Sequence, residues 1–193
     1  MYRQSKTDGD KTFIESKEVK SPWTYSFTGL PRYDEASTSN AEYIYTVKET
    51  DASGNDINGY GVSYSGYNIT NTIKTTDITV NKIWDDNNNS AGQRPINIKV
   101  QLVRNVNNNN TDLGAEVILT GSSWTYTWTG LPTYVGGAKA TYTVREVSSV
   151  NNYTPSYVYG DSLTTITNKY TPGTTSRTVN KTWDDQGNAD GTR

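Results

Sequence analysis

Apolar residues along this chain alternate with polar ones and do not recur at helical spacing. Ile96, Ile98, Val100 and Leu102 occupy every second position, which places one face of an extended strand in a core and the other in water. Similar short stretches run over Thr79 to Trp84, Ile96 to Arg104, Glu116 to Leu119, Trp124 to Trp128, Ala140 to Val147, Tyr157 to Tyr159 and Leu163 to Asn168. Between them lie punctuating segments: Asp85 to Gln93, Asn105 to Asn110, a Gly121-Ser-Ser turn, Gly130-Leu-Pro132, and a loop from Thr133 to Lys139. Tyr, Thr, Val and Ile dominate the patterned stretches, and no long run shows the apolar spacing of a helix. Several short antiparallel strands with turns every eight to twelve residues predict an all-β protein built as a β-sandwich.

The pattern repeats. Trp23-Thr-Tyr-Ser-Phe-Thr-Gly-Leu-Pro-Arg-Tyr33 returns as Trp124-Thr-Tyr-Thr-Trp-Thr-Gly-Leu-Pro-Thr-Tyr134, an offset of 101. Tyr45-Thr-Val-Lys-Glu49 matches Tyr142-Thr-Val-Arg-Glu146, and Ile69-Thr-Asn71 matches Ile166-Thr-Asn168, both at 97. Val80-Asn-Lys-Ile-Trp-Asp-Asp86 returns as Val179-Asn-Lys-Thr-Trp-Asp-Asp185, at 99. The drift falls where loops are expected, so the chain is a tandem array of one module of about a hundred residues. Residues 77 to 171 make one complete module, 1 to 76 a module without its first strands, and 172 to 193 a joint and the opening strand of a third. The segment matching Pro95 to Gln101 is missing between the two ends, so they do not tile into one permuted module. The expectation is a fragment of a longer array, with an engineered or strand-exchanging chain as the alternative. The short joints Thr75-Thr-Asp77 and Thr171-Pro-Gly-Thr-Thr174 predict a fairly stiff rod of stacked modules, and frayed or associating ends.

Strand parity then exposes an anomaly. Lys82 shares a face with Val80 and Trp84, Glu146 with Tyr142 and Val144, and Asn168 with Ile166 and Tyr170. The first copy repeats two of these patterns, with Glu49 beside Tyr45 and Val47, and Asn71 beside Ile69 and Ile73. Each complete module therefore points one Lys, one Glu and one Asn into an aromatic-rich interior, where unpaired polar groups are costly. Burial favours the neutral forms of Lys and Glu. A neutral amine is a nucleophile, a carboxamide carbon is an electrophile, and a protonated carboxyl can polarise the amide and shuttle protons as ammonia departs. Holding amine and carboxamide in contact lowers the barrier by roughly 7–11 kcal/mol. The product is a Lys-to-Asn isopeptide bond, formed once, which is self-processing and not enzymatic turnover. The competing reading is a buried ion pair with an amide partner and no covalent bond.

The opening Val-x-Lys-x-Trp-Asp-Asp, the later Tyr-Thr-Val-x-Glu and the closing Ile-Thr-Asn together resemble the Cna B-type repeats, the stalk domains of Gram-positive surface adhesins and pilins. The Trp-Thr-Tyr-x-x-Thr-Gly-Leu-Pro stretch resembles the middle of the same family. The resemblance implies a prealbumin-like, Ig-like sandwich with a spontaneous intramolecular isopeptide bond. It assigns Lys82 as the amine, Asn168 as the acceptor and Glu146 as the catalytic acid. Glu49 and Asn71 form an incomplete site without a lysine before them, and Lys181 has its strand but no following partners.

Composition narrows the alternatives. The chain has no Cys and no His, which excludes disulfides, Cys or His metal ligands and His-based triads. A net charge of −2 with interspersed signs gives no reason to expect nucleic acid as a partner, and no apolar run is long enough to span a membrane. No cofactor is expected, and the spacing of the Asp/Asn loops at Asp85 to Asn89 and Asp184 to Asp190 does not fit a calcium loop. Trp84, Trp124, Trp128 and the tyrosines fit packing on strand faces or, alternatively, a sugar-stacking platform. The expected role is a stalk on the wall-attached outer surface of a Gram-positive bacterium, with neighbouring repeats as partners and host matrix bound through other domains. The rival is a module that binds matrix or glycan through its own loops and exposed aromatics.

Overall fold

The alternation of β6 (Thr75–Asp85) is the pattern from which the rest of the fold builds: Ile78, Val80 and Lys82 turn inward, with their neighbours half-buried or exposed. This computed structural model describes residues 1–5, 10–35, 38 and 41–192. Among them every regular element is a strand and none is a helix. Preceding β6 are β1 (Tyr2–Ser5), β2 (Thr12–Phe13), β3 (Tyr43–Thr46), β4 (Tyr60–Ser65) and β5 (Asn68–Ile73). Following it are β7 (Asn97–Val106), β8 (Asn109–Thr120), β9 (Thr125–Pro132), β10 (Tyr134–Val135), β11 (Ala138–Glu146), β12 (Tyr153–Tyr159) and β13 (Leu163–Tyr170). Two four-stranded sheets run β10-β11-β7-β8 and β12-β13-β6-β9; a three-stranded sheet runs β2-β1-β3, and β4 pairs β5 alone.

The chain falls into two compact units. One comprises residues 78–103, 111–127 and 142–193. Its core is Ile78 and Val80 of β6, Ile98, Val100 and Leu102 of β7, Leu119 of β8, Tyr142 and Val144 of β11, and Ile166 of β13. These are the inward positions that alternation predicts, and their burial supplies the main driving force for this unit. Ile96 is the exception. It lies ahead of β7, directly after Pro95, and stays exposed while its carbonyl accepts from Gly121 N.

Several boundaries differ from the sequence expectation. The polar run Asn105 to Asn110 is mostly strand, because Asn107 and Asn108 adopt positive φ (51° and 62°) and close a two-residue hairpin between β7 and β8. The expected loop Thr133 to Lys139 likewise contains β10 and the start of β11. Strand β12 begins four residues earlier than its apolar pattern, at Tyr153, and tolerates Pro155 because it is the edge of its sheet. β13 lies parallel to β6, with Ile166 opposite Lys82 and Asn168 opposite Trp84. First and last strands of the complete repeat are thereby direct neighbours.

The other unit comprises residues 1–77, 104–110 and 128–141. Between β5 and β6 stands a single residue, Lys74, whose carbonyl accepts from Thr133 N (2.9 Å) and Thr133 Oγ1 (3.0 Å). Asp77 Oδ1 accepts from Gly130 N at 2.9 Å. Gly59, at φ +79°, sits so close to Tyr134 that an added Cβ would lie 2.8 Å from the tyrosine Cβ. Residues 24–32, the copy of the β9 region, form no strand here, and Trp23 is 75% exposed. Every residue of β5 is exposed, although it repeats the sequence pattern of β13. The difference is in neighbours: β13 lies between β12 and β6, whereas β5 has a strand on one edge only among the described residues.

Candidate functional site

The three polar residues singled out by strand parity meet in the first of these units. Lys82 is 4% exposed and Asn168 1%, and both continue the buried faces of their strands. Asn168 stands two positions beyond the register partner of Lys82, on the same face of the neighbouring parallel strand. Glu146, the last residue of β11, accepts from Asn168 Nδ2 at 3.0 Å through Oε1. Lys82 Nζ donates to the carbonyls of Ile83 (2.8 Å) and Ile166 (3.5 Å), and lies 4.1 Å from the centre of the Trp84 ring.

Two polar atoms at this site are buried with no hydrogen-bond partner among the described residues: Glu146 Oε2 and Asn168 Oδ1. A buried oxygen without a donor is expensive. A proton on Glu146 removes the charge from its carboxyl, and burial pushes that carboxyl upward, opposed by the Asn168 hydrogen bond and the Lys82 charge. Burial likewise pushes the Lys82 amine down to about 8, against the upward pull of Glu146. Both shifts favour the neutral pair, the protonation state that nucleophilic attack on a carboxamide requires. No group of three or more His, Cys, Asp or Glu able to hold a metal occurs among the described residues.

Around this trio the aromatics pack inward. Trp84 meets Trp124 edge-on at 5.3 Å and Tyr153 at 5.0 Å. Sequence reasoning missed the lock beside them. Asp86, read as part of the Asp85 to Gln93 loop, is buried and accepts from Arg94 Nε (2.8 Å), Arg94 Nη2, Asn89 N (3.0 Å) and Tyr153 Oη (2.9 Å). The Arg94 hydrogen bond, foremost, holds the Asp86 carboxyl well below the usual carboxylate range. Burial and the same carboxylate push the Tyr153 phenol up to about 12. Asp86 is thus saturated by donors of its own chain. The available signal was the repeat of Trp-Asp-Asp itself, since Asp185 Oδ1 accepts from Asn188 N as Asp86 does from Asn89 N.

The incomplete sites behave differently. Asn71 Nδ2 donates to Glu49 Oε1 at 2.9 Å, reproducing the Asn168–Glu146 bond, and Glu49 Oε2 is also buried without a partner among the described residues. Glu49 lies after β3 and not within a strand, unlike Glu146. Lys181 stands in a segment with no strand pairing, its amine 3.5 Å from the centre of the Trp183 ring.

Comparison with known proteins agrees with the repeat. The Cna protein B-type domain profile matches residues 4–72 and 78–169. A collagen adhesin of Staphylococcus aureus is 40% identical over 190 residues, covering 96% of this chain and 15% of that protein. The chain therefore spans a small part of that relative's length. Among solved structures, a single B repeat unit of the S. aureus collagen-binding surface protein is 36% identical, covering 89% of this chain and 86% of that one (TM-score 0.46). Two B repeat units of the same protein are 38% identical, covering 100% of this chain and 48% of that one (TM-score 0.48). With profile matches to two successive repeats spanning most of its length, the chain belongs to the Cna protein B-type domain family.

Proposed function

We propose that this chain is a stalk segment of a surface adhesin or pilin-like protein, braced by an autocatalytic isopeptide bond between Lys82 and Asn168. The observation that carries the reading is the pair of buried residues Lys82 and Asn168 on neighbouring parallel strands, with the half-buried Glu146 hydrogen-bonded to Asn168. In the reaction the neutral Lys82 Nζ attacks Asn168 Cγ, and the Nζ–Cγ bond forms. Glu146 lends its proton to polarise the amide, accepts one from the amine, and delivers it to Nδ2 as the Cγ–Nδ2 bond breaks and ammonia leaves. One turnover consumes the site, so no external substrate and no cofactor enter.

On this reading residues 77–171 are the complete module, 1–76 an incomplete one and 172–193 a joint with the opening strand of the next. The module works outside a Gram-positive cell, attached to its wall. It neighbours other repeats, while domains elsewhere in the full protein engage host matrix. The family membership and the relative's name as a collagen adhesin support that setting.

A stalk is tested by force. With β6 and β13 tied, the residues between Lys82 and Asn168 cannot be pulled out. Stretching single molecules of wild type and Lys82→Ala should show about 300 Å more released length in the variant, at ~3.5 Å per residue. Equal released lengths would remove the clamp from the account.

A further inference from the structure

We propose that Arg94, fixed in place by Asp86, is a positioning residue of the linking reaction and acts on the Lys82 amine across the ring of Trp84. This role rests on the isopeptide chemistry proposed for Lys82, Glu146 and Asn168, and adds a residue to it.

Alternation sets the arrangement. Lys82, Trp84 and Asp86 stand at every second position, and each is more buried than Ile83 and Asp85 between them. The Trp84 ring is the surface that connects the other two. Lys82 Nζ lies 4.1 Å from its centre, and the Arg94 guanidinium carbon lies 5.7 Å from the same centre. Two cations therefore share one ring. Trp124 and Tyr153 hold that ring edge-on, and Tyr153 Oη donates to Asp86 Oδ2. The Asp86 side chain, 1% exposed, takes the guanidinium through both Nε and Nη2. A two-bond fork to one carboxylate fixes orientation as well as distance. A guanidinium also keeps its proton throughout the range in which proteins fold. The lock thus sets a permanent positive charge near the amine.

That charge has a chemical consequence. An aromatic face attracts a cation, so Trp84 alone would hold Lys82 as the unreactive ammonium. A second cation at the same ring opposes this, and Lys82, unlike Arg94, responds by losing its proton. The charges that act on the amine are Glu146 at the end of β11, and Arg94 and Asp86 in the segment after β6. Glu146 and Asp86 favour the ammonium; Arg94 works with burial against it. Tyr153 of β12 keeps its proton, its phenol being pushed up to about 12. On β13, Asn168 is uncharged and Lys169 stands on the exposed face. Of these groups Arg94 is the one whose charge promotes the free amine, the form that attacks Asn168 Cγ.

The test follows ammonia loss by intact mass in chains of residues 1–193, recovered unfolded from inclusion bodies and refolded across about pH 5 to 10. Urea unfolding of each chain reports its fold separately. Arg94→Lys keeps the cation, and its alkaline limb should stay near 8, as in wild type. Arg94→Gln removes the cation. Linking at neutral pH should slow by about three- to tenfold, and the alkaline limb should rise by about half to one pH unit. Arg94→Gln combined with Asp86→Asn leaves no buried charge unpaired, so it tests the same point without breaking a buried ion pair. Arg94 acts on the amine more strongly than Asp86 does, so the limb of this double variant should also rise, by less. Slower linking with an unmoved limb in both Gln chains would mean that the lock only braces the fold, and overturns the proposal. An Arg94→Lys limb displaced as far as that of Arg94→Gln overturns it too. Absence of ammonia loss in folded wild type at every pH removes the reaction itself, and this role with it. A bell-shaped wild-type profile with unchanged variants removes the role of Arg94 alone.

Discussion

At the residue scale the site is a conflict between burial and charge. Lys82 lies almost wholly out of water, and its amine is held down to about 8, while the Glu146 carboxyl is pushed up by the same burial. The reactive state, neutral amine with protonated acid, carries the same number of protons as the unreactive ion pair. Its population is therefore constant between the two titrations and falls outside them. Bond formation followed by mass after refolding should accordingly show a bell-shaped pH profile. The acidic limb should follow Glu146, above its ordinary value of 4.5, and the alkaline limb should lie near 8. Glu146→Gln preserves an acceptor for Asn168 Nδ2 but loses the proton relay, and should slow the reaction by about 10²–10⁴-fold. A rate that climbs steadily to pH 10 in wild type would contradict the role of Glu146 as the acid.

At the element scale the parity of strands made much of this visible. Val80, Ile98, Val100, Leu102, Val144 and Ile166 are buried where alternation puts them, and so are Lys82 and Asn168. The pairing partners were not legible, because alternation fixes faces and says nothing of which strand lies alongside. The parallel β6–β13 pair is the example that matters most for the site. The Asp86 lock was hidden for another reason. An Asp among Asn and Gly reads as turn chemistry, and only the fold brings Arg94 and Tyr153 to it. Breaking that lock leaves a buried carboxylate without its cation. Arg94→Ala should cost about 3 kcal/mol, the low end for a buried pair because the Arg94 side chain is itself 23% exposed. Urea unfolding of that variant checks the figure. An unchanged midpoint would mean that Asn89 N and Tyr153 Oη suffice for the carboxylate.

At the scale of the whole molecule the same sequence motif has two outcomes. In β13 it is sheltered by β6 and β12; in β5 it pairs with β4 alone among the described residues, and every residue is exposed. Ile69 of β5 is exposed where its counterpart Ile166 of β13 is fully buried, and propensity alone could not distinguish the two copies. A bond from Lys82 to Asn168 would close a loop that holds nearly the entire complete module. By loop-closure entropy a cross-link of that span stabilises by about 4–5 kcal/mol, and it blocks extension besides. Both effects depend on the bond being present.

Intact mass therefore tests the account most directly. Wild-type chain, folded and then denatured, should weigh about 17 Da less than its sequence, the ammonia lost when an amine displaces a carboxamide nitrogen. Fragment spectra should join Lys82 to Asn168, and Lys82→Ala should restore the full sequence mass. A wild-type mass equal to the sequence, in protein that is folded, would make the trio a buried polar network and contradict the clamp.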